Sequence, residues 1–508
     1  MDENPPPIPI SAPAAPASVA RFSRREQVVT LAGLLLGIFL AALDQTIVAT
    51  AGPQMQRELA IAPALYAWIT TAYLVTSTMM IPIYGKLGDI YGRRTTLLWG
   101  VAIFLAGSLL CGVAGEDFLG GTEFGVPELI AFRALQGVGG AVFFPTTFAV
   151  IGDMYPPAER GKYTGLVTSV FAIASILGPL LGGFLTDQFS WRWVFYVNLP
   201  FGLVAILFVL RMPPLIHSFR NGQRPRIDYL GAVLLCTAVV PLLSALSMTG
   251  GAHGADDAPA AAPTGTIAIL FAVAFAAFCA FIAVELQAHD PIVPLRLFRN
   301  PAISIVMLAA FLFSAAFLGP IVFLPLFVVY VTGASMTDAG LILAPFSIAI
   351  AIGSTASGFI VTRLGTCKPV MLVGLILLMA AYLIMVLTLS PAATETGIVL
   401  AMSFVGLATG VVLPLYNVAI QNAVQPREMG VIVGTLSFLR NLGQAIGVAL
   451  PGTIFAGTYT GRLAASGGQV NLAMTAAVAN VFAYALGLVV LTFITTLLLP
   501  NLPLGRRH

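Results

Sequence analysis

Apolar residues along this chain come in long blocks rather than alternating with polar ones at the strand or amphipathic-helix period. A helix needs about 20 apolar residues to cross a hydrocarbon layer roughly 30 Å thick. Inside such a layer the backbone must satisfy its own hydrogen bonds, which a helix does within one segment. The blocks predict fourteen membrane-spanning helices, over residues 28–50, 66–84, 96–115, 127–151, 163–186, 193–211, 228–249, 264–286, 302–331, 338–362, 369–390, 395–420, 430–456 and 478–500.

Composition agrees with the pattern. The 508 residues are 58% hydrophobic and only 9% charged, against about 25% charged in a soluble domain. The expected fold class is an all-α polytopic membrane protein. The net charge of +3 adds little, because in a membrane protein the location of charge decides more than its sum.

That location is informative. With both termini in the cytoplasm, nineteen of the 24 basic residues fall on inside segments. Arg57, Arg192 and Arg462 fall outside, and Arg133 and Arg440 lie within spans. The outer loops collect acids instead: Glu116, Asp117, Glu123, Glu128, Asp256 and Asp257. This asymmetry predicts a multi-pass protein of the cytoplasmic (inner) membrane, and an odd span count would scramble it. Residues 1–27 open with a Pro-, Ala- and Ser-rich stretch and read as a disordered cytoplasmic tail. Residues 501–508 read as a second cytoplasmic tail. Ala49-Thr50-Ala51 looks like a signal-peptidase site, but the run before it exceeds 20 residues and holds Asp44, unlike a short leader.

The chain also repeats itself. Adding 269 maps Gly137 to Gly406, Pro145 to Pro414, Glu159 to Glu428, Gly161 to Gly430, Gly165 to Gly434 and Gly178 to Gly447. Adding 273 maps Gly85 and Gly92 onto Gly358 and Gly365. The repeats predict two six-helix halves in the same orientation, residues 28–212 and 302–500. An inserted transmembrane hairpin with its flanking loops, residues 213–301, lies between them. Parallel halves related by an axis along the membrane normal are an architecture of alternating-access transporters.

Between spans 2 and 3 stands "GKLGDIYGRR". Gly85, Gly88 and Gly92 allow a tight turn and close helix approach. Asp89 with Arg93 and Arg94 can form a charge network whose strength depends on how the halves meet. With this loop the chain resembles the major facilitator superfamily, whose signature loop is GxLaDrxGrkxxl; Gly88 stands where many members have alanine or serine. "RALQGVGGA", Arg133 to Ala141, resembles the family's fourth-helix motif RxxQGxGaa. "LGPLLGG", Leu177 to Gly183, resembles the fifth-helix GPxxGG of its antiporters. "WRWVFYVNLPFG" and "LDQTIVAT" resemble signatures of the fourteen-span drug:proton antiporter branch. Many members continue the latter as ALP, where this chain reads Ala51-Gly52-Pro53.

The resemblance implies a major-facilitator fold and proton-coupled export of amphipathic compounds. It also implies that Gly178, Pro179, Gly182 and Gly183 act as a hinge or seal favouring exchange. Physically those residues allow close packing and a bend, so plain structural packing stays open beside the hinge.

Asp44 is the one acid deep within an expected span, about six residues, or roughly 9 Å, from the outer end. Arg133 enters span 4 from the same face at the same depth. A carboxylate there costs about 2.5–3.5 kcal/mol to insert, so it marks function or a partner. Burial favours its neutral form and a nearby guanidinium its charged form. A motion that changes their separation would load or release a proton. Asp44 and Arg133 are therefore the expected proton-coupling pair, against the alternative of a fixed structural ion pair.

For the substrate cavity, span 12 offers Asn417 and Gln421, and span 13 offers Arg440 and Asn441 with Gln444. Tyr73, Gln136, Phe143 and Phe144 could face it from the first half, with ordinary core or lipid-facing packing open beside that reading for the aromatics. Apolar and aromatic walls with few polar groups suit small amphipathic substrates and loose selectivity; monovalent, neutral or anionic amphiphiles fit better than doubly charged cations. Protons and membrane lipid are the other expected partners. Cys111, Cys236, Cys279 and Cys367 are isolated, and the four histidines form no metal or triad pattern. No enzyme activity, cofactor, metal or nucleic-acid partner is expected. An accessory envelope protein is compatible with this reading. No GxxxxGK[ST] loop is present, which removes an ATP-driven pump. A transporter of one defined solute, such as a siderophore, amino acid or lipid, shares every motif above. A membrane sensor would call for a long soluble segment, and the two-repeat layout argues against a channel.

Overall fold

A computed structural model of the chain describes residues 23–59, 61, 63–117, 121–213, 228–250, 264–288, 291–333, 336–424 and 429–500. Most of the expected N-terminal tail, all of 501–508 and the acids Asp256 and Asp257 lie outside the described residues. Within them the chain is helical, with no β-strand. The first six passes are α1 (Arg24–Glu58), α2 (Pro63–Tyr91), α3 (Arg93–Val113), α4 with α5 (Thr122–Gly140, Phe143–Met154), α6 (Pro157–Gln188) and α7 with α8 (Trp193–Tyr196, Asn198–Leu210). A hairpin of α9 (Tyr229–Gly250) and α10 (Thr264–Gln287) follows. The last six passes are α11 (Pro301–Phe327), α12 (Met336–Leu364), α13 (Lys368–Thr388), α14 with α15 (Glu395–Val412, Leu415–Ala423), α16 (Met429–Ala465) and α17 (Val470–Leu497).

Among the described residues, 13 helical stretches are long and apolar enough to cross a membrane. The remaining pass is α2. Its middle carries Thr70, Thr71, Thr76, Ser77 and Thr78, and it lies inside the bundle, packed against α4, α9 and α16. A hydroxyl-rich helix is tolerable there because its hydroxyls find backbone acceptors: Thr76 Oγ1 donates to Ala134 O at 2.8 Å on α4.

Local chemistry sets the helix ends. Ser23 and Glu26 form a capping box at the start of α1, each side chain accepting from the other's backbone N–H. At its far end α1 runs on to Glu58 rather than stopping near residue 50. The apolar run ends there, but Gln54, Met55, Gln56 and Glu58 are good helix formers, and Gln54 Nε2 donates to Glu58 Oε1 at 2.8 Å. Spans 4 and 12 are each broken in two, at Ala141–Val142 and Leu413–Pro414. Pro145 and Pro414, related by the repeat, each remove one ladder donor beside the break.

The repeat is visible in the packing. A methyl group on Gly85 of α2 would meet the Gly430 carbonyl oxygen of α16 at 2.6 Å. A methyl on Gly358 of α12 would collide with the Gly161 carbonyl of α6. The sequence offsets exchange these two crossings, Gly85 for Gly358 and Gly161 for Gly430. Both lie toward the end of the bundle that carries the 85–94 loop, called the loop end below. The α9–α10 hairpin attaches through α9 to α2 and α16. Residues Ile269, Phe275 and Phe278 of α10 remain exposed, as suits a lipid-facing surface.

Candidate functional site

Asp44 lies near the middle of α1, fourteen residues before its end at Glu58. That is about 21 Å from the helix end, of which the last turns are the polar extension beyond the apolar run. Its side chain is fully buried, and three donors converge on it. Arg133 Nη1 donates to Oδ2 at 2.8 Å. Gln136 Nε2 and Asn198 Nδ2 donate to Oδ1 at 2.8 and 2.9 Å.

The fourth pass supplies two of these donors because Arg133 and Gln136 stand three residues apart, on one face of α4. The glycines that follow let α2 approach: methyls on Gly137 and Gly140 would each come within 2.5 Å of Tyr73 atoms. The buried Tyr73 ring then lies 4.5 Å beneath the Arg133 guanidinium, a cation–π contact. Arg133 Nε donates to Ile69 O at 3.2 Å, and Nη1 also reaches Gln136 Oε1 at 2.7 Å. Asn198 opens α8 after the short break behind α7. Its Nδ2 also reaches Ser108 Oγ at 3.0 Å, and Ser108 Oγ donates to Phe195 O at 2.9 Å.

The ion pair is thus held by five passes. Donors alone face the carboxyl oxygens, so the arrangement accommodates a carboxylate. Removing either partner would leave the other charge uncompensated in a low-dielectric interior.

The loop end carries a second charge network. Gly92 has φ 86°, a region open to glycine, and this residue turns α2 into α3. Asp89 Oδ1 pairs with Arg93 Nη2 at 2.6 Å, and Arg93 Nε with Asp153 Oδ2 at 3.2 Å. Gly88 leaves room for that guanidinium, since a methyl there would lie 2.8 Å from Arg93 Nη1. Asp89 Oδ2 accepts the Val431 N–H of α16 at 3.1 Å, a carboxylate on the first turn of a helix from the other half. Arg94 is half-buried and outside this network among the described residues.

These folds and motifs meet an independent comparison. The model of the Major Facilitator Superfamily matches residues 34–448. The chain belongs to this superfamily. It is 34% identical over 432 residues to the multidrug transporter protein MdtP of Bacillus subtilis, covering 85% of this chain and 75% of that protein. Multidrug resistance protein 3 of the same organism is 36% identical over 431 residues, covering 85% and 80%. The efflux pump FUS6 of Gibberella fujikuroi is 34% identical over 424 residues, covering 83% and 73%. Among solved structures, the proton:xylose symporter XylE superposes with a TM-score of 0.66 at 13% identity, covering 94% of this chain and 97% of that one. The human organic anion transporter MFSD10 gives 0.62 at 17%, covering 92% and 100%. At those identities the structures speak for the fold. The protein is a multi-pass membrane transporter of this superfamily, and not an enzyme.

Within this superfamily fold the remaining expected residues are distributed unevenly. Phe143 is buried edge-to-face against Phe104, centroids 5.5 Å apart, with Gly37 beside it. Phe144 packs on Phe171 at 5.7 Å. Gln421 Nε2 donates across the halves to Phe148 O at 3.0 Å. Asn417 is buried, and its Oδ1 has no hydrogen-bond partner among the described residues; the same holds for Arg440 Nε. Asn441 Nδ2 lies 3.5 Å from Thr78 Oγ1 on α2.

Gly178 packs against Thr46 of α1, where a methyl would also lie 3.2 Å from Ile47 N. Gly182 is buried, whereas a methyl on Gly183 would meet nothing within 4 Å. The Pro179 side chain lies outside the described residues, and α6 runs unbroken through it.

Three participants escaped the sequence reading. Asn198 and Ser108 complete the Asp44 network, and Asn198 was already inside the quoted "WRWVFYVNLPFG" stretch. Arg160 is buried and donates to Gln421 O at 2.9 Å and Asn422 Oδ1 at 3.2 Å, tying the halves at the loop end. Its charge near a span start read as ordinary positive-inside placement.

Proposed function

We propose that this transporter is a proton-coupled antiporter that exports small amphipathic compounds by alternating access. The observation that carries the reading is the buried Asp44 carboxylate, bonded to three donors from two other passes and paired with Arg133. The names of its bacterial and fungal relatives, multidrug transporters and efflux pumps, support the cargo class.

In this reading the loop end faces the cytoplasm, as the basic residues favour. Residues 28–212 and 302–500 rock against each other around a central site, with the 213–301 hairpin riding between them. The Asp89 bond to Val431, the Arg160 bonds to α15 and the two glycine crossings hold the cytoplasmic end shut. Opening that end breaks them. Protonation of Asp44 from outside releases Arg133 and its neighbours, which permits the rearrangement. Return of the proton to the cytoplasm restores the pair. At about 2.3 kcal/mol per charge per 100 mV, one inward proton supplies useful work for expelling substrate.

The test uses proteoliposomes with an imposed pH gradient and a fluorescent lipophilic cation. Uptake by the unaltered protein should require the gradient, and Asp44→Asn should lose that requirement. Equal gradient dependence in both proteins would remove Asp44 from the coupling step.

A further inference from the structure

The coupling network leaves Arg440 unused. Ser437, Arg440, Asn441 and Gln444 recur at three- and four-residue steps, so they share one broad face of α16. Asn441 points that face toward Thr78 of α2. Ser437 is buried and its hydroxyl has no hydrogen-bond partner among the described residues; Arg440 Nε is buried without an acceptor in the same sense. The titratable neighbour acting on Arg440 is Tyr416 of α15, whose ring packs against Phe313 at 5.5 Å.

No acid balances this charge among the described residues. Asp44 is taken by Arg133. Asp89 pairs with Arg93 and the Val431 N–H, and Glu285 sits at the end of α10, where its Oε1 accepts the Ile292 N–H at 3.1 Å. Arg440 is half-buried, and a guanidinium within a membrane pass without a counter-charge is costly. An incoming anion gains from charge-assisted hydrogen bonds, in which a planar guanidinium can grip two oxygens at once.

We infer that Arg440, with Ser437, Asn441 and Gln444, recognises the anionic headgroup of an amphipathic substrate, a carboxylate or sulfonate. The inference rests on the reading of the chain as an exporter of amphiphiles. The same chemistry is carried by soluble organic anions and by anionic lipid.

The experiment measures equilibrium binding to the full-length protein in nanodiscs of zwitterionic lipid. The probes are a carboxylate-bearing xanthene dye and a cationic xanthene ester of the same ring system. The unaltered protein should bind the anion. Arg440→Gln should weaken anion binding roughly 10- to 100-fold, the range lost with a hydrogen bond to a charged group, and change cation binding less than about twofold. Arg440→Lys, which keeps the charge but not the fork, should fall between.

Unchanged anion binding in Arg440→Gln would overturn the assignment. So would no anion binding by the unaltered protein, or equal weakening of both probes, which would make Arg440 a support of the fold. Repeating the measurement with phosphatidylglycerol in the nanodisc separates the two sources. Displacement that depends on Arg440 assigns the site to anionic lipid as well, and no displacement assigns it to soluble anions. Binding is read without a pH gradient, so this result and the coupling test succeed or fail independently.

Discussion

Arg133 and Arg440 are the same residue type within membrane passes of the two halves, and their surroundings are opposite. Arg133 has a carboxylate, a backbone carbonyl, a side-chain amide and an aromatic face. Arg440 has no ion pair and keeps a buried, partnerless Nε among the described residues. The glycine crossings, by contrast, are shared by both halves and exchanged by the repeat. Packing follows the symmetry: in both crossings a glycine faces a glycine carbonyl of the other half. Charge departs from it: the symmetric position of Arg133 is Met402, buried and apolar. A difference confined to charge separates a completed site from one that an outside group can complete.

The largest effect should come from breaking the completed site. Arg133→Ala leaves Asp44 buried without its counter-charge and should cost about 3–5 kcal/mol, read as a fall in thermal unfolding temperature of the purified protein. Arg440→Ala removes no protein partner, and its cost should stay below about 1 kcal/mol. Equal losses in the two variants would erase the comparison.

A smaller effect tests the shared part. Gly85→Val and Gly358→Val each force a side chain into a backbone crossing, at about 1–3 kcal/mol against this closed arrangement. A cysteine pair replacing Ser169 and Thr355, whose hydroxyls lie 2.9 Å apart across α6 and α12, should cross-link less in both variants, and by similar amounts. Unequal losses would show that the two crossings are not equivalent.

Smallest is Asn198→Ala, which removes one of three donors to Asp44 while leaving the ion pair. A loss of about 1–2 kcal/mol is expected, well under that of Arg133→Ala and measured in the same unfolding assay. A loss as large as that of Arg133→Ala would shift the weight of the network from charge to amide.

Much of this molecule was legible before its structure. Blocks of apolar residues mark membrane passes because the hydrocarbon layer sets their length, and all fourteen expected spans coincide with helical passes. Asp44 and Arg133 stood out because charge within an apolar block is rare and expensive. Helix ends were less legible: α1 continues eight residues beyond its apolar run because polar helix formers extend it. Asn198 and Ser108 were missed because neutral polar residues are common in membrane helices, and only the fold brings them to Asp44. Gln421 was chosen for its polarity, which does not reveal that it bonds a backbone carbonyl across the halves. Polarity gives a side chain's chemistry, while its partner depends on packing.

The measurement that bears most directly on the central claim separates coupling from structure at Asp44. Asp44→Asn would be reconstituted and assayed for exchange of labelled substrate at equal pH on both sides, then for accumulation under a pH gradient. The account predicts that exchange persists and accumulation disappears. Accumulation at the level of the unaltered protein, or loss of exchange together with accumulation, would contradict it.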